Sequence, residues 1–270
     1  MLESALYGDN TFVTLTYDDE KLPEDGSLNP YHLRDFLKRF RKAIAPHRVR
    51  FYAVGEYGDV SSRPHYHLAL FNFPSCVRGS TLHLRDRPCC WQCDLVRDAW
   101  QSECTGGRVS LDELSDATSS YVAGYVVKKM TRPDDPRLEG RFPEFCRMSN
   151  RPGIGADLMD DLASTILENP NADDLEDVPT SLRHGSRCMP LGKYLRRRLR
   201  VRIGMDEKAP QITLDRAEEK LRPLRLLASA YAPSGHKSFA FKQEIINAGE
   251  GQRQRLLSMV RNKSNRKKNL

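Results

Sequence analysis

The sequence has no apolar run near the roughly 18 residues that a bilayer-spanning helix requires, which excludes an integral helical membrane protein. Its first residues, Met1-Leu2-Glu3-Ser4-Ala5, lack the basic stretch and apolar core of a signal peptide. A glycine-rich phosphate loop is also missing, which argues against an ATP-driven motor, and there is no internal repeat. Aromatics are scarce at 8% while charged residues reach 29%, as expected of a soluble protein with polar arms. The seven cysteines are an odd number without a secretion signal, so reduced thiols in a cytoplasm are expected rather than a disulfide framework.

What is present in excess is positive charge. There are 43 Lys and Arg against 36 Asp and Glu, for a net +7. That balance favours a polyanionic partner. At 270 residues the chain can bury a full core, as one large domain or two small ones.

Phe12-Val13-Thr14-Leu15-Thr16-Tyr17 is a β-branched and aromatic run of strand length, with Val13, Leu15 and Tyr17 on one face and Phe12, Thr14 and Thr16 on the other. A helix follows a polar loop. Asn29 suits its N-cap, Pro30 its first position, and Leu33, Phe36, Leu37, Phe40 and Ile44 its apolar face, with Pro46 as the stop. A second strand is expected over Val49 to Tyr57. It leads through a turn-rich link into Arg63-Pro64-His65-Tyr66-His67-Leu68-Ala69-Leu70-Phe71.

His65 and His67 are two residues apart on a strand, so both imidazoles point to one face and can share a divalent metal. If the two strands form an antiparallel hairpin, Glu56 lies across from one of them and supplies a carboxylate as third ligand. A solvated histidine pair and a solvated strand-end glutamate are the plain alternatives. Cys90-x-x-Cys93 has zinc-knuckle spacing, but no second pair completes it, so structural zinc at Cys89, Cys90 and Cys93 is not expected. Trp91 and Trp100 are expected to pack this segment against the sheet.

Ser119 to Met130 reads as a helix. It places Tyr121, Tyr125, Lys128 and Lys129 on one face and Val122, Val126 and Met130 on another. Tyrosines at this spacing are also ordinary packing residues. Farther on lie an acidic stretch over 156–177 and a basic run, Tyr194-Leu195-Arg196-Arg197-Arg198-Leu199-Arg200-Val201-Arg202. A further helix is expected near 217–227, and a basic tail over 261–270 is expected to be disordered. Thr14, Thr16 and Arg63 beside the histidines, and Arg196, Arg197 and Arg198 in the basic run, are candidate DNA contacts. Together these features suit metal-assisted attack of a tyrosine hydroxyl on a DNA phosphate, with Lys128 or Lys129 stabilising charge.

In this order and spacing, residues 12–17, Gly55-Glu56-Tyr57-Gly58, Arg63 to His67, Tyr121 to Lys129 and Phe145 to Gly155 resemble replication initiation proteins of microviruses of the gokushovirus type. These are HUH endonucleases, named for paired histidines around a bulky hydrophobic residue, here Tyr66. The resemblance implies an α+β fold, an antiparallel sheet with flanking helices and RNA-recognition-motif-like topology. It implies a nickase domain over 1–155 and a mainly helical, irregular region over 156–260. It further implies nicking of single-stranded viral origin DNA, a 5′-phosphotyrosine intermediate with Tyr121 and Tyr125 alternating, rolling-circle replication, and Mg or Mn as the ion. The host's replication machinery in the bacterial cytoplasm is the implied setting. Family members tend to carry an upstream cysteine pair and basic helix, so a shortened frame is expected.

Three other readings stay open from the residues. One is a non-catalytic single-strand-binding module with Phe12, Tyr52 and Tyr66 as stacking platforms. Another is a single-tyrosine transposase or plasmid nickase. The third, a non-haem iron oxygenase, fits poorly because its first ligands are usually spaced His-x-Asp/Glu.

Overall fold

Alternation of apolar residues builds the central strands, β1 (Asn10–Thr16), β2 (Arg50–Tyr57) and β3 (Pro64–Phe71). In the computed structural model, which describes residues 1–58, 61–78, 89–119, 135–171, 174–185 and 187–231, β3 pairs antiparallel with both β1 and β2. Strand β4 (Val109–Glu113) joins β1, and β5 (Phe145–Met148) joins β2. The sheet order is β4-β1-β3-β2-β5, antiparallel throughout, so the expected α+β class holds. The helix expected over 119–130 and the tail over 261–270 lie outside the described residues.

The chain divides into two compact units, Met1–Leu162 and Ala163–Leu270. In the first, Val13, Leu15, Tyr66, Leu68, Leu70 and Leu111 share one sheet face and are fully buried. They pack against α1 (Pro30–Ile44) and α2 (Trp91–Trp100), through Leu33, Phe36, Leu37 and Phe40 of the first and Val96 and Trp100 of the second. Helix α1 starts where the sequence predicts. The Asn29 side chain accepts the Tyr31 N–H at 2.9 Å, and Arg41 and Lys42 face the negative end of the helix dipole.

Tyr66 fastens this layer. Its hydroxyl accepts the Asn29 N–H at 3.0 Å, donates to the Asn29 carbonyl at 2.9 Å and lies 2.7 Å from the Tyr17 hydroxyl. The start of α1 is thereby tied to the middle of β3. Trp100 packs edge-on against Tyr66 and donates its indole N–H to the Thr16 carbonyl at 3.0 Å. Trp91 departs from expectation: it meets Phe73 edge-on yet stays 59% exposed. The reason is helical phase, since Trp91 falls off the buried Cys93–Val96–Trp100 stripe. At Gly55 the sheet tolerates no side chain, because a Cβ there would come within 2.7 Å of the Phe145 ring. A fully buried Glu3 pairs with Arg50, which also donates to the carbonyls of Pro152 and Gly153 at 2.8 and 2.9 Å.

Helix α3 (Ala156–Leu167) follows. The second unit contains a two-stranded hairpin, β6 (Ser181–His184) with β7 (Arg187–Pro190). It also contains α4 (Lys193–Arg202) and α5 (Gln211–Tyr231). Its polar anchor is Asp177. The Arg200 guanidinium grips that carboxylate through two bonds of 2.6 and 2.8 Å, and Thr213 donates a third at 2.8 Å. Arg200 hydrogen bonding is the main reason the Asp177 pKa falls to about 2, with burial opposing and Thr213 and the Val178 N–H assisting.

Two outcomes follow from these contacts. Tyr66→Phe leaves the Asn29 N–H and carbonyl unmatched, and should lower the unfolding free energy by about 1–3 kcal/mol in urea titrations. Because the folded Asp177 pKa lies below its ordinary 3.8, its contribution is complete above that value and is lost as pH falls toward about 2. Acid unfolding followed by circular dichroism should therefore be shallower over that window in Asp177→Asn than in the parent chain.

Candidate metal centre on the open strands

The register places the site. Glu56 is the direct partner of His65 across β2 and β3, and Thr14 and Thr16 of β1 lie opposite His67 and His65. All five residues share the sheet face opposite α1 and α2, because side chains alternate along each strand. The three expected metal ligands therefore come together. Glu56 Oε1 lies 2.7 Å from His65 Nε2 and 3.1 Å from His67 Nε2, and the two imidazoles stand edge-on with centroids 4.9 Å apart. Glu56 and His67 are buried and His65 is partly open.

The second contacts orient these rings. His65 Nδ1 lies 3.0 Å from the Arg63 carbonyl, which can only accept, so Nδ1 carries the proton there. In a neutral ring this leaves the Nε2 lone pair aimed at a carboxylate oxygen. Two acceptors at 2.7 Å require a positive charge between them, either a proton or a metal ion. His67 Nδ1 lies 2.9 Å from Thr14 Oγ1, and its ring stacks on Phe12 at 5.3 Å with 13° between planes. Burial alone would raise the Glu56 carboxyl, but hydrogen bonds from His65 and His67 outweigh it and hold the pKa below its ordinary value.

The donor set fits a divalent cation. Glu56 Oε2 is buried and has no hydrogen-bond partner among the described residues. One carboxylate oxygen and two ring nitrogens lie close enough to share an ion. Two imidazoles and a carboxylate suit several divalent first-row metals as well as harder ions, and the geometry does not select among them.

The other expected site residues are placed as follows. Thr16 Oγ1 donates to the Arg108 carbonyl at 3.0 Å. Arg63 is held by Asp19 and the Tyr17 carbonyl, each at 2.7 Å, and so secures the turn that orients His65. Arg196, Arg197 and Arg198 lie on α4 in the second unit, where Arg197 pairs with Glu207. Tyr121, Tyr125, Lys128 and Lys129 lie outside the described residues. The sequence reading did not pick out a groove lined by Arg34, Lys38, Arg41, Arg141, Arg147 and Phe142. Its signal was the basic face of α1, which resembles an ordinary solvated face until the 140–148 segment closes the other wall.

Comparison with known proteins supplies the context. Residues 10–130, which include all three candidate ligands, match the family described as replication-associated protein ORF2. Residues 10–130 belong to that family. Replication-associated protein VP4 of Bdellovibrio phage phiMH2K is 32% identical over 142 residues, 49% of this chain and 43% of the relative. Replication-associated protein ORF2 of Spiroplasma virus 4 is 31% identical over 198 residues, 70% of this chain and 58% of the relative. Replication-associated protein ORF4 of Chlamydia phage 1 is 31% identical over 138 residues, 47% and 33%. All three come from microviruses, in keeping with the expected family. The chain thus spans between a third and three-fifths of these relatives' lengths. No solved structure matches it significantly. No described helix is long and apolar enough to cross a membrane.

The orienting contact to His67 gives a direct test. Thr14→Val keeps all three ligands but removes the hydroxyl at Nδ1. It should weaken Mn²⁺ binding about 10-fold in calorimetric titration, while Glu56→Gln should weaken it further. Equal affinity in the parent and Glu56→Gln chains would remove the carboxylate from the site.

Proposed function

We propose that this chain is a phage replication initiator of the HUH endonuclease type, which nicks single-stranded DNA at a viral origin and later rejoins it. The observation that carries this reading is the Glu56–His65–His67 constellation, lying within a segment of the replication-associated family. A Mg or Mn ion held by these residues would neutralise the scissile phosphate and polarise its P–O bond. The chain's own groups do the rest. Thr14 and the Arg63 carbonyl hold the imidazoles in orientation, and Phe12 shields one face of His67.

In this reading the hydroxyl of Tyr121 or Tyr125 attacks phosphorus in line. A bond from tyrosine oxygen to phosphorus forms, the bond to the 3′-oxygen breaks, and the strand is left as a 5′-phosphotyrosine with a free 3′-OH. That hydroxyl can prime synthesis. Lys128 and Lys129 supply positive charge that helps a phenol with ordinary pKa about 10 to ionise. The second tyrosine attacks the next junction while the first is occupied, which converts one nick into a rolling-circle cycle. The cationic groove with Phe142 at its wall suits a single strand, offering charge for phosphates and a ring for a base. The host's replication machinery, in the bacterial cytoplasm, is the proposed setting.

A purely binding module loses one of its three platforms, since Tyr66 is fully buried on the helix-covered face. The deciding experiment incubates the chain with labelled single-stranded origin DNA and Mn²⁺, with an EDTA control, and resolves adducts on denaturing gels. Tyr121→Phe and Tyr125→Phe should each retain some joining activity. The double variant should form no adduct, and peptide mapping of the parent should find DNA on one of the two tyrosines. Undiminished adduct in the double variant would place the nucleophile elsewhere.

A further inference from the structure

Four thiols that the proposed reaction does not use meet at the end of the sheet. Cys76 follows β3, and Cys89, Cys90 and Cys93 lie at the start of α2, where Cys90 is the N-cap. Their sulfurs all lie within 4.8 Å of one another. Cys76 Sγ is 3.6 Å from Cys89 Sγ and 3.9 Å from Cys90 Sγ. All four thiols are free, and these separations are far from the roughly 2.0 Å of a disulfide. They do match a metal tetrahedron. With zinc–sulfur bonds near 2.3 Å, the sulfur–sulfur edges are about 3.8 Å. A multi-iron cluster would hold its thiolates farther apart.

We propose that Cys76, Cys89, Cys90 and Cys93 bind one structural zinc ion as a tetrahedral four-thiolate site. The ligand missing from the Cys90-x-x-Cys93 spacing is Cys76, and Cys89 closes the set. The surroundings favour bound thiolates. Cys76 and Cys93 are buried, and the backbone N–H groups of Cys93 and Val77 donate to Cys90 Sγ, as expected for a metal-bound sulfur. The helix start at Cys90 adds a positive dipole end. Because all four donors are protein thiolates, no position is left for water or substrate, so the role is to fasten structure. The ion joins the end of β3 to the start of α2. The other end of α2 carries Trp100, which packs under Tyr66 and donates to Thr16. The zinc thus braces the underside of the strand that bears His65 and His67. This inference does not depend on the nicking reaction.

The test uses the full chain, produced with zinc in the medium and purified under reducing conditions. Plasma mass spectrometry should find about one zinc per chain at the thiol site, released in step with mercurial titration of the thiols. Cobalt substituted into the parent chain should give intense thiolate-to-cobalt charge-transfer bands. Cys76→Ser and Cys93→Ser should each lower retained zinc at least 10-fold, whereas the His65→Ala/His67→Ala double variant should keep it. The cobalt spectrum needs only the parent chain, so failure of a cysteine variant to fold does not blunt the test. Absence of charge-transfer bands, a Cys90–Cys93 disulfide without metal, or undiminished zinc in folded Cys76→Ser would overturn the proposal.

Discussion

The hydrogen bonds between the Tyr66 hydroxyl and Asn29 decide which way β3 faces. Tyr66 points into the core and is held at the start of α1. Because side chains alternate, its neighbours His65 and His67 must then point to the opposite face. A slip of one residue would send both imidazoles into the core and expel the tyrosine. The metal centre therefore depends on a residue that takes no part in it, and the bulky residue between the histidines has a plain mechanical purpose.

Electrostatics on the far face rest on a similar economy. A buried carboxylate is unfavourable without partners, and two imidazoles supply them. Yet the proton that His65 commits to the Arg63 carbonyl leaves a lone pair directed at Glu56, and Glu56 Oε2 has no partner among the described residues. Such an arrangement is incomplete without added positive charge. Thr14, Phe12 and Arg63 contribute position: one orients a ring, one stacks on it, and one stiffens the turn before it.

Much of this was legible in local patterns. The α1 boundaries follow from Asn29, Pro30 and Pro46, and the ligand trio from an His-x-His strand beside a glutamate-bearing one. What stayed hidden was set by long-range packing. Cys76 is separated from Cys89 by 12 residues, so no spacing rule connects them. Arg200 sits in a run that resembles a uniform phosphate track, yet it is buried against Asp177, 23 residues away. Trp91 and Trp100 have the same chemistry, and only helical phase separates the exposed ring from the buried one.

The centre draws its residues from β1, β2 and β3, none of which is a sheet edge. Strand β3 has a neighbour on each side throughout its length, so the backbone around His65 and His67 cannot fray alone. Amide hydrogens there exchange only when the sheet itself opens. The ligand geometry is accordingly an all-or-none property of the folded unit, with no partly unfolded form that keeps the histidines aligned. During synthesis the chain must emerge past β3 before the centre can exist, and any metal must bind a folded sheet rather than guide its assembly.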